Sequence, residues 1–213
     1  MQTIAVVDFE TTGLAPGGGG RATEIAVVLV RGGAIVDRYA SLMQSGAWVP
    51  PFITQLTGIS NEMLAAAPSS RQVMQEVAAF TAGCPLVAHN ASFDQGFWRA
   101  EWELADLTPD PAHEFACTVL LSRRLWPEAQ RHNLGSMAEF LGLEWEGRAH
   151  RALADAAITA ELLLRIQREV ERRFAMDLGH AEVDHGLLAH LQRVNVRELR
   201  RGLKSYLATV SVP

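Results

Sequence analysis

Close to its start the chain reads Ile4-Ala5-Val6-Val7-Asp8, a short apolar run that ends on an acid. A run of this length without polar alternation reads as a strand buried on both faces. The turn-forming Thr11-Thr12-Gly13 that follows ends it and leaves Asp8 and Glu10 at its C-terminal end. Residues two apart on a strand point to the same side. Two carboxylates held together in this way repel unless a proton or a cation lies between them. A hard divalent ion with a preference for oxygen ligands is one such cation.

The same pattern of an apolar segment opening onto an acid recurs twice. Pro85 to Ala88 reads as a second short strand, followed by His89-Asn90 and a helix through Trp102 with Asp94 in its first turn. An acid there also suits a helix N-terminus without any further role. Asp155 falls on a helix from Ala152 to Arg173 lined with alanine and leucine, where an unpaired buried acid is costly. His150 precedes Asp155 by five residues, near the start of that helix.

Between these segments, Glu24 to Val30 and Ala34 to Leu42 flank Arg31-Gly32-Gly33 and read as a hairpin. Pro16 and Gly17 to Gly20 read as a surface loop. Helices are expected over Gln72 to Phe80, Thr118 to Leu125 and Leu134 to Leu141. Strand, hairpin, then alternating helices and strands make an α/β domain with a mixed sheet. The pattern changes near Met176. We therefore expect a main α/β domain over 1–175 and a helical extension over 176–213. Around its amphipathic stretch from Val194 to Tyr206, Arg193, Arg197, Arg200, Arg201 and Lys204 face only Glu198, an excess of cations suited to a partner, a second copy of the chain or a nucleic-acid backbone, and equally to the solvated face of a helix packed on the domain.

Bulk properties narrow the options. A 213-residue chain with a net charge of −5 is not a phosphate-coating duplex binder, which would carry a basic surface. An acidic protein can still act on nucleic acid where metal ions supply the positive charge. No apolar run reaches the roughly 18–20 residues of a membrane span, and the N-terminus lacks the basic region of a signal peptide. Cys84 and Cys117 are too few for a disulfide framework and read as buried thiols of a cytoplasmic protein. His180, His185 and His190 recur every five residues, a spacing that does not share a helix face, so no zinc site is expected there. Gly17 to Gly20 lack the lysine of a phosphate-cradling loop. Trp98 and Trp102 are expected in the core.

Taken together, Asp8-Phe9-Glu10-Thr11-Thr12-Gly13-Leu14, His89-Asn90-x-x-Phe93-Asp94 and His150-x-x-x-x-Asp155 resemble the three motifs of the DEDD-h (DnaQ-like) 3′→5′ exonucleases, in the same order. The subgroup they are most similar to is the proofreading (epsilon) exonuclease of bacterial DNA polymerase III. The resemblance covers about residues 3–170 and includes Thr57-Gly58-Ile59. It implies a ribonuclease H-like fold, a mixed five-stranded sheet with helices on both faces. It also implies two Mg²⁺, with Mn²⁺ able to substitute, held by Asp8, Glu10 and Asp155, with Asp94 acting through water. Two such ions would stabilise the attacking and leaving oxygens during phosphodiester hydrolysis. His150 would be the general base, a task that an ordinary imidazole pKa near ~6.5 suits. Thr11, Leu14 and Thr57 would grip the terminal nucleotide of a single-stranded or frayed DNA 3′ end. Two alternatives stand beside this reading: an RNA-trimming or short-oligonucleotide nuclease similar to ribonuclease T or oligoribonuclease, and a catalytically idle module that docks on a polymerase.

Overall fold

The computed structural model describes residues 2–13, 15–145 and 147–210. A five-stranded mixed sheet runs in the order β3-β2-β1-β4-β5. Strands β1 (Ile4–Thr11), β2 (Ala22–Arg31) and β3 (Ala34–Leu42) form an antiparallel meander, and β4 (Leu86–Ala88) and β5 (Phe115–Cys117) add to the free edge of β1 in parallel. Because β1 and β4 are parallel neighbours, the chain leaves both at the same edge of the sheet. That edge is where ligands bind in open α/β sheets.

The central strands are covered on both sides, and side-chain alternation separates two cores. Ile4, Val6, Ala26 and Val28 face the long helix α7 (Ala152–Leu178). Ala5, Val7, Phe9, Ile25 and Val27 face α3 (Ser70–Phe80) and α4 (Ser92–Leu104) through Val73, Phe97 and Trp98. Continuing the alternation along β1 puts Asp8 and Glu10 on the α7 face. On α7, Ala152, Ala156 and Ala160 are fully buried in this core, and their small side chains let the helix lie close on the sheet. Trp98 and Trp102 are buried as expected, their rings stacked 4.9 Å apart.

Short elements complete the layers: α1 (Pro51–Thr57), α2 (Asn61–Ala65), α5 (Thr118–Leu125), α6 (Leu134–Leu141), α8 (His185–Leu191) and α9 (Leu199–Val210). The loop expected at Gly17 to Gly20 begins as a turn of 3₁₀ helix, Pro16–Gly18. The segment beyond residue 176 is helical, and Leu187, Leu188, Leu191, Leu199 and Leu203 join the same core as β1. It is also stitched to the sheet by polar groups. The Gln192 side chain accepts from Cys117 N (2.7 Å) and donates to Phe115 O (3.3 Å), satisfying the backbone of edge strand β5. His185 Nε2 lies 2.9 Å from Leu86 O.

The basic run there is not left facing Glu198 alone. Arg200 and Lys204 pair with Asp177 at 2.9 and 3.2 Å, and Arg193 pairs with Glu114 at 3.1 Å. Both acids lie outside the basic run itself, Asp177 near the end of α7 and Glu114 just before β5, so a count within the run does not include them. Among the described residues no helix is long and apolar enough to cross a membrane.

Candidate active site

Strand β1 delivers Asp8 and Glu10, and its pairing with β2 sets Glu10 opposite Glu24. Strand β4 ends at Ala88. Asn90 then takes a left-handed conformation (φ 65°), and the turn leads into α4, whose first turn carries Asp94. Asp94 is 2% exposed, and its Oδ1 accepts a hydrogen bond from the Phe9 backbone N–H at 3.2 Å. The second acid is thereby tied between the two acids of the first motif. From the opposite side, α7 brings in Asp155. Ligand-type atoms of Glu10, His150 and Asp155 all lie within 4.8 Å of one another.

These acids crowd one another. Burial, then the charges of Asp94, Asp155, Glu10 and Glu24, hold the Asp8 carboxyl well above its ordinary value. Burial, Asp155 and Glu24 push Glu10 up to about 8 against the opposing charge of Arg151. Burial raises Asp94 to about 7 despite the Phe9 N–H. Asp155 is raised by burial also, with His150 pulling the other way. Carboxylates that repel at this density, all offering oxygen, fit a hard divalent cation, which removes the repulsion that burial amplifies.

The turn after Glu10 is closely built. Gly13 N donates to Thr11 Oγ1 (3.1 Å) and Arg21 N to Thr12 Oγ1 (3.2 Å). Gly13 has φ 96°, and a Cβ there would stand 2.8 Å from Ile53 Cδ1 of α1, so only glycine fits. Thr57 is 1% exposed; its hydroxyl donates to Ile53 O (3.0 Å) and accepts from Ile59 N (3.1 Å), closing the end of α1. Leu14 lies outside the described residues.

His150 also has a positive φ, 61°, on an exposed segment, and its backbone N–H donates to Asp155 Oδ1 at 3.3 Å. Two charged residues that the sequence reading left without a role sit behind it. Glu24 and Arg151 form a bidentate pair of 2.6 and 3.0 Å beneath the site. The sequence signal for Glu24 is an acid inside the apolar run of a central strand, which burial obliges to find a partner.

Residues 5–163 match the family profile described as exonuclease, RNase_T. The 3′-5′ exonuclease DinG of Bacillus subtilis is 35% identical over 171 residues, 80% of this chain and 18% of that protein. A PolC-type DNA polymerase III of Thermotoga maritima is 33% identical over 214 residues, 98% of this chain and 15% of the polymerase. The chain thus spans less than a fifth of either of these relatives. Among solved structures, exonuclease X in complex with 5′ overhanging duplex DNA is 31% identical, with a TM-score of 0.62 over 78% of this chain and 91% of that one. The chain belongs to the exonuclease family, and its five-stranded mixed sheet is the one the sequence resemblance led us to expect.

Proposed function

We propose that this chain is a divalent-metal-dependent 3′→5′ exonuclease, working in the cytoplasm on single-stranded or frayed DNA ends and releasing 5′-mononucleotides. The observation that carries the reading is the convergence of Asp8, Glu10, Asp94 and Asp155 from β1, α4 and α7, with His150 beside Glu10 and Asp155. Asp8, Glu10 and Asp155 would hold Mg²⁺, with Mn²⁺ as a substitute and Asp94 completing a set for two ions. Bound there, the metal supplies Lewis-acid charge at the scissile phosphate.

The chain's own groups account for the remainder. His150, exposed and next to the acids, accepts the proton of the attacking water. Thr11 and Leu14 hold the terminal nucleotide, and Thr57 shapes the wall that α1 places against Gly13. Gripping a few nucleotides by stacking and backbone contacts needs no basic coat, which suits a net charge of −5. DNA is favoured over RNA because two of the similar proteins are named for DNA, as a DNA polymerase and as a nuclease solved on a DNA duplex.

The test compares 5′-labelled single-stranded DNA, RNA and a dinucleotide with Mg²⁺ and with EDTA. Single-stranded DNA should shorten stepwise from its 3′ end with Mg²⁺ only. Faster loss of RNA or of the dinucleotide would move the assignment to an RNA-trimming or short-oligonucleotide nuclease. No loss of any substrate would leave a binding module.

A further inference from the structure

Glu24 is a buried acid beside the site, 4% exposed, yet its oxygens are already committed. Oε1 accepts from Arg151 Nη2 at 2.6 Å, and Oε2 accepts from Arg151 Nε and from the backbone N–H of Ala152, each at 3.0 Å. With three of its roughly four acceptor sites engaged by Arg151 and Ala152, Glu24 is poorly placed to act as a fifth metal ligand. The two residues it holds lie between His150 and Asp155. Ala152 opens α7, and Arg151, the residue capping that helix, makes no side-chain cap of its own. A carboxylate from the neighbouring strand therefore does the capping, where the helix dipole favours negative charge.

The segment is anchored ahead of His150 as well. Arg148 donates to Gln55 O and Leu56 O, each at 3.4 Å, at the end of α1. Between the two anchors His150 keeps a left-handed backbone. A non-glycine residue holds that conformation only when its surroundings impose it.

We propose that Glu24 and Arg151 form a positioning clamp, which sets where His150 and Asp155 stand against Glu10 and so governs metal affinity and turnover. The clamp rests on the nuclease reading above. Neither residue is assigned a catalytic role, because the Glu24 carboxylate and the Nε and Nη2 fork of Arg151 are engaged with each other. Partners behind metal ligands typically change affinity or activity by about 10–100-fold when removed.

The test uses the full chain with the charge-neutral double substitution Glu24→Met/Arg151→Met. Removing both partners leaves no uncompensated buried charge, so folding is spared, and any change in Mn²⁺ affinity reports position rather than net charge. Arg151→Lys, which keeps the charge and loses the fork, is the second variant. Glu101→Ala, which breaks a separate buried pair with Arg21 (2.8 Å), controls for general loosening.

Three quantities are read: hydrogen exchange of residues 147–156, Mn²⁺ affinity by calorimetry, and kcat and KM on single-stranded DNA. In the double variant, exchange of the segment should rise by about tenfold or more, Mn²⁺ affinity and kcat should each fall about 10–100-fold, and KM should stay within about threefold. Arg151→Lys should lie between, and Glu101→Ala should leave exchange of 147–156 unchanged. Wild-type exchange in the double variant overturns the clamp. Faster exchange with unaltered Mn²⁺ affinity also overturns it, leaving an ordinary salt bridge. A wild-type chain that binds no Mn²⁺ fails differently: it removes the nuclease reading itself.

Discussion

The two helices that complete the site are fastened to β2 by the same device under different loads. On the α4 side, Glu101 takes the fork of Arg21 (2.8 and 2.9 Å) and the N–H of Ala22 (3.1 Å). On the α7 side, Glu24 takes the fork of Arg151 and the N–H of Ala152. In each case a buried glutamate grips an Arg-Ala step. What surrounds them differs. Asp94 on α4 is buried, hydrogen-bonded to β1 and backed by Phe97 and Trp98. Asp155 is half-buried, and His150 stands on an exposed segment with few other bonds. The α4 half is preformed by its core, and α7 itself packs on the sheet, whereas the exposed turn that carries His150 ahead of α7 owes its geometry to a handful of polar contacts. Removing a contact should therefore cost packing on one side and chemistry on the other.

The sharpest break in this comparison is Asp8→Ala, because Asp8 is pressed by acids from both halves. Metal-dependent hydrolysis should fall by about 10³-fold or more, with the circular dichroism spectrum unchanged. A fully active purified variant would contradict the assignment of the site. Next in size, His150→Ala should lower kcat by about 10²-fold and leave Mn²⁺ affinity within about threefold. The rate profile should also lose its acidic limb. Survival of that limb would remove His150 from proton transfer.

The smallest effect concerns stability and pH. Glu10 and Asp94 are raised to about 8 and about 7 in the folded protein from ordinary values of 4.5 and 3.8. The native state then holds protons that the unfolded chain has released. Their contribution is complete below about 4 and is lost as pH rises toward about 8. In EDTA the melting temperature should fall across that window. Millimolar Mg²⁺ should reverse the fall at its upper end, because the metal binds the deprotonated acids. A melting temperature that rises with pH in EDTA would show that the acids are not crowded.

Much of this was legible in the chain. Acids at strand ends and in a first helical turn carry their geometry in their local setting, so Asp8, Glu10, Asp94 and Asp155 could be placed before any fold was known. Helices α5 and α6 were bounded correctly because their apolar spacing is regular. The elements that escaped are short. Strand β5 has three residues, too few for any period, and α1 begins at Pro51 after a second proline that reads as loop. The clamps escaped for another reason. Glu24 and Arg151 are 127 residues apart, and the acids that pair with Arg193, Arg200 and Lys204 lie outside the basic run, Glu114 far before it and Asp177 at the end of α7. Local pattern shows where a charge is, but only the fold shows what it meets.

The central claim is that the four acids form one metal centre. Its most direct test is anomalous diffraction from crystals grown with Mn²⁺ and a nucleoside 5′-monophosphate. Manganese density among Asp8, Glu10, Asp94 and Asp155, with the phosphate against it, is the predicted result. Saturating Mn²⁺ with no anomalous density between those carboxylates would contradict it.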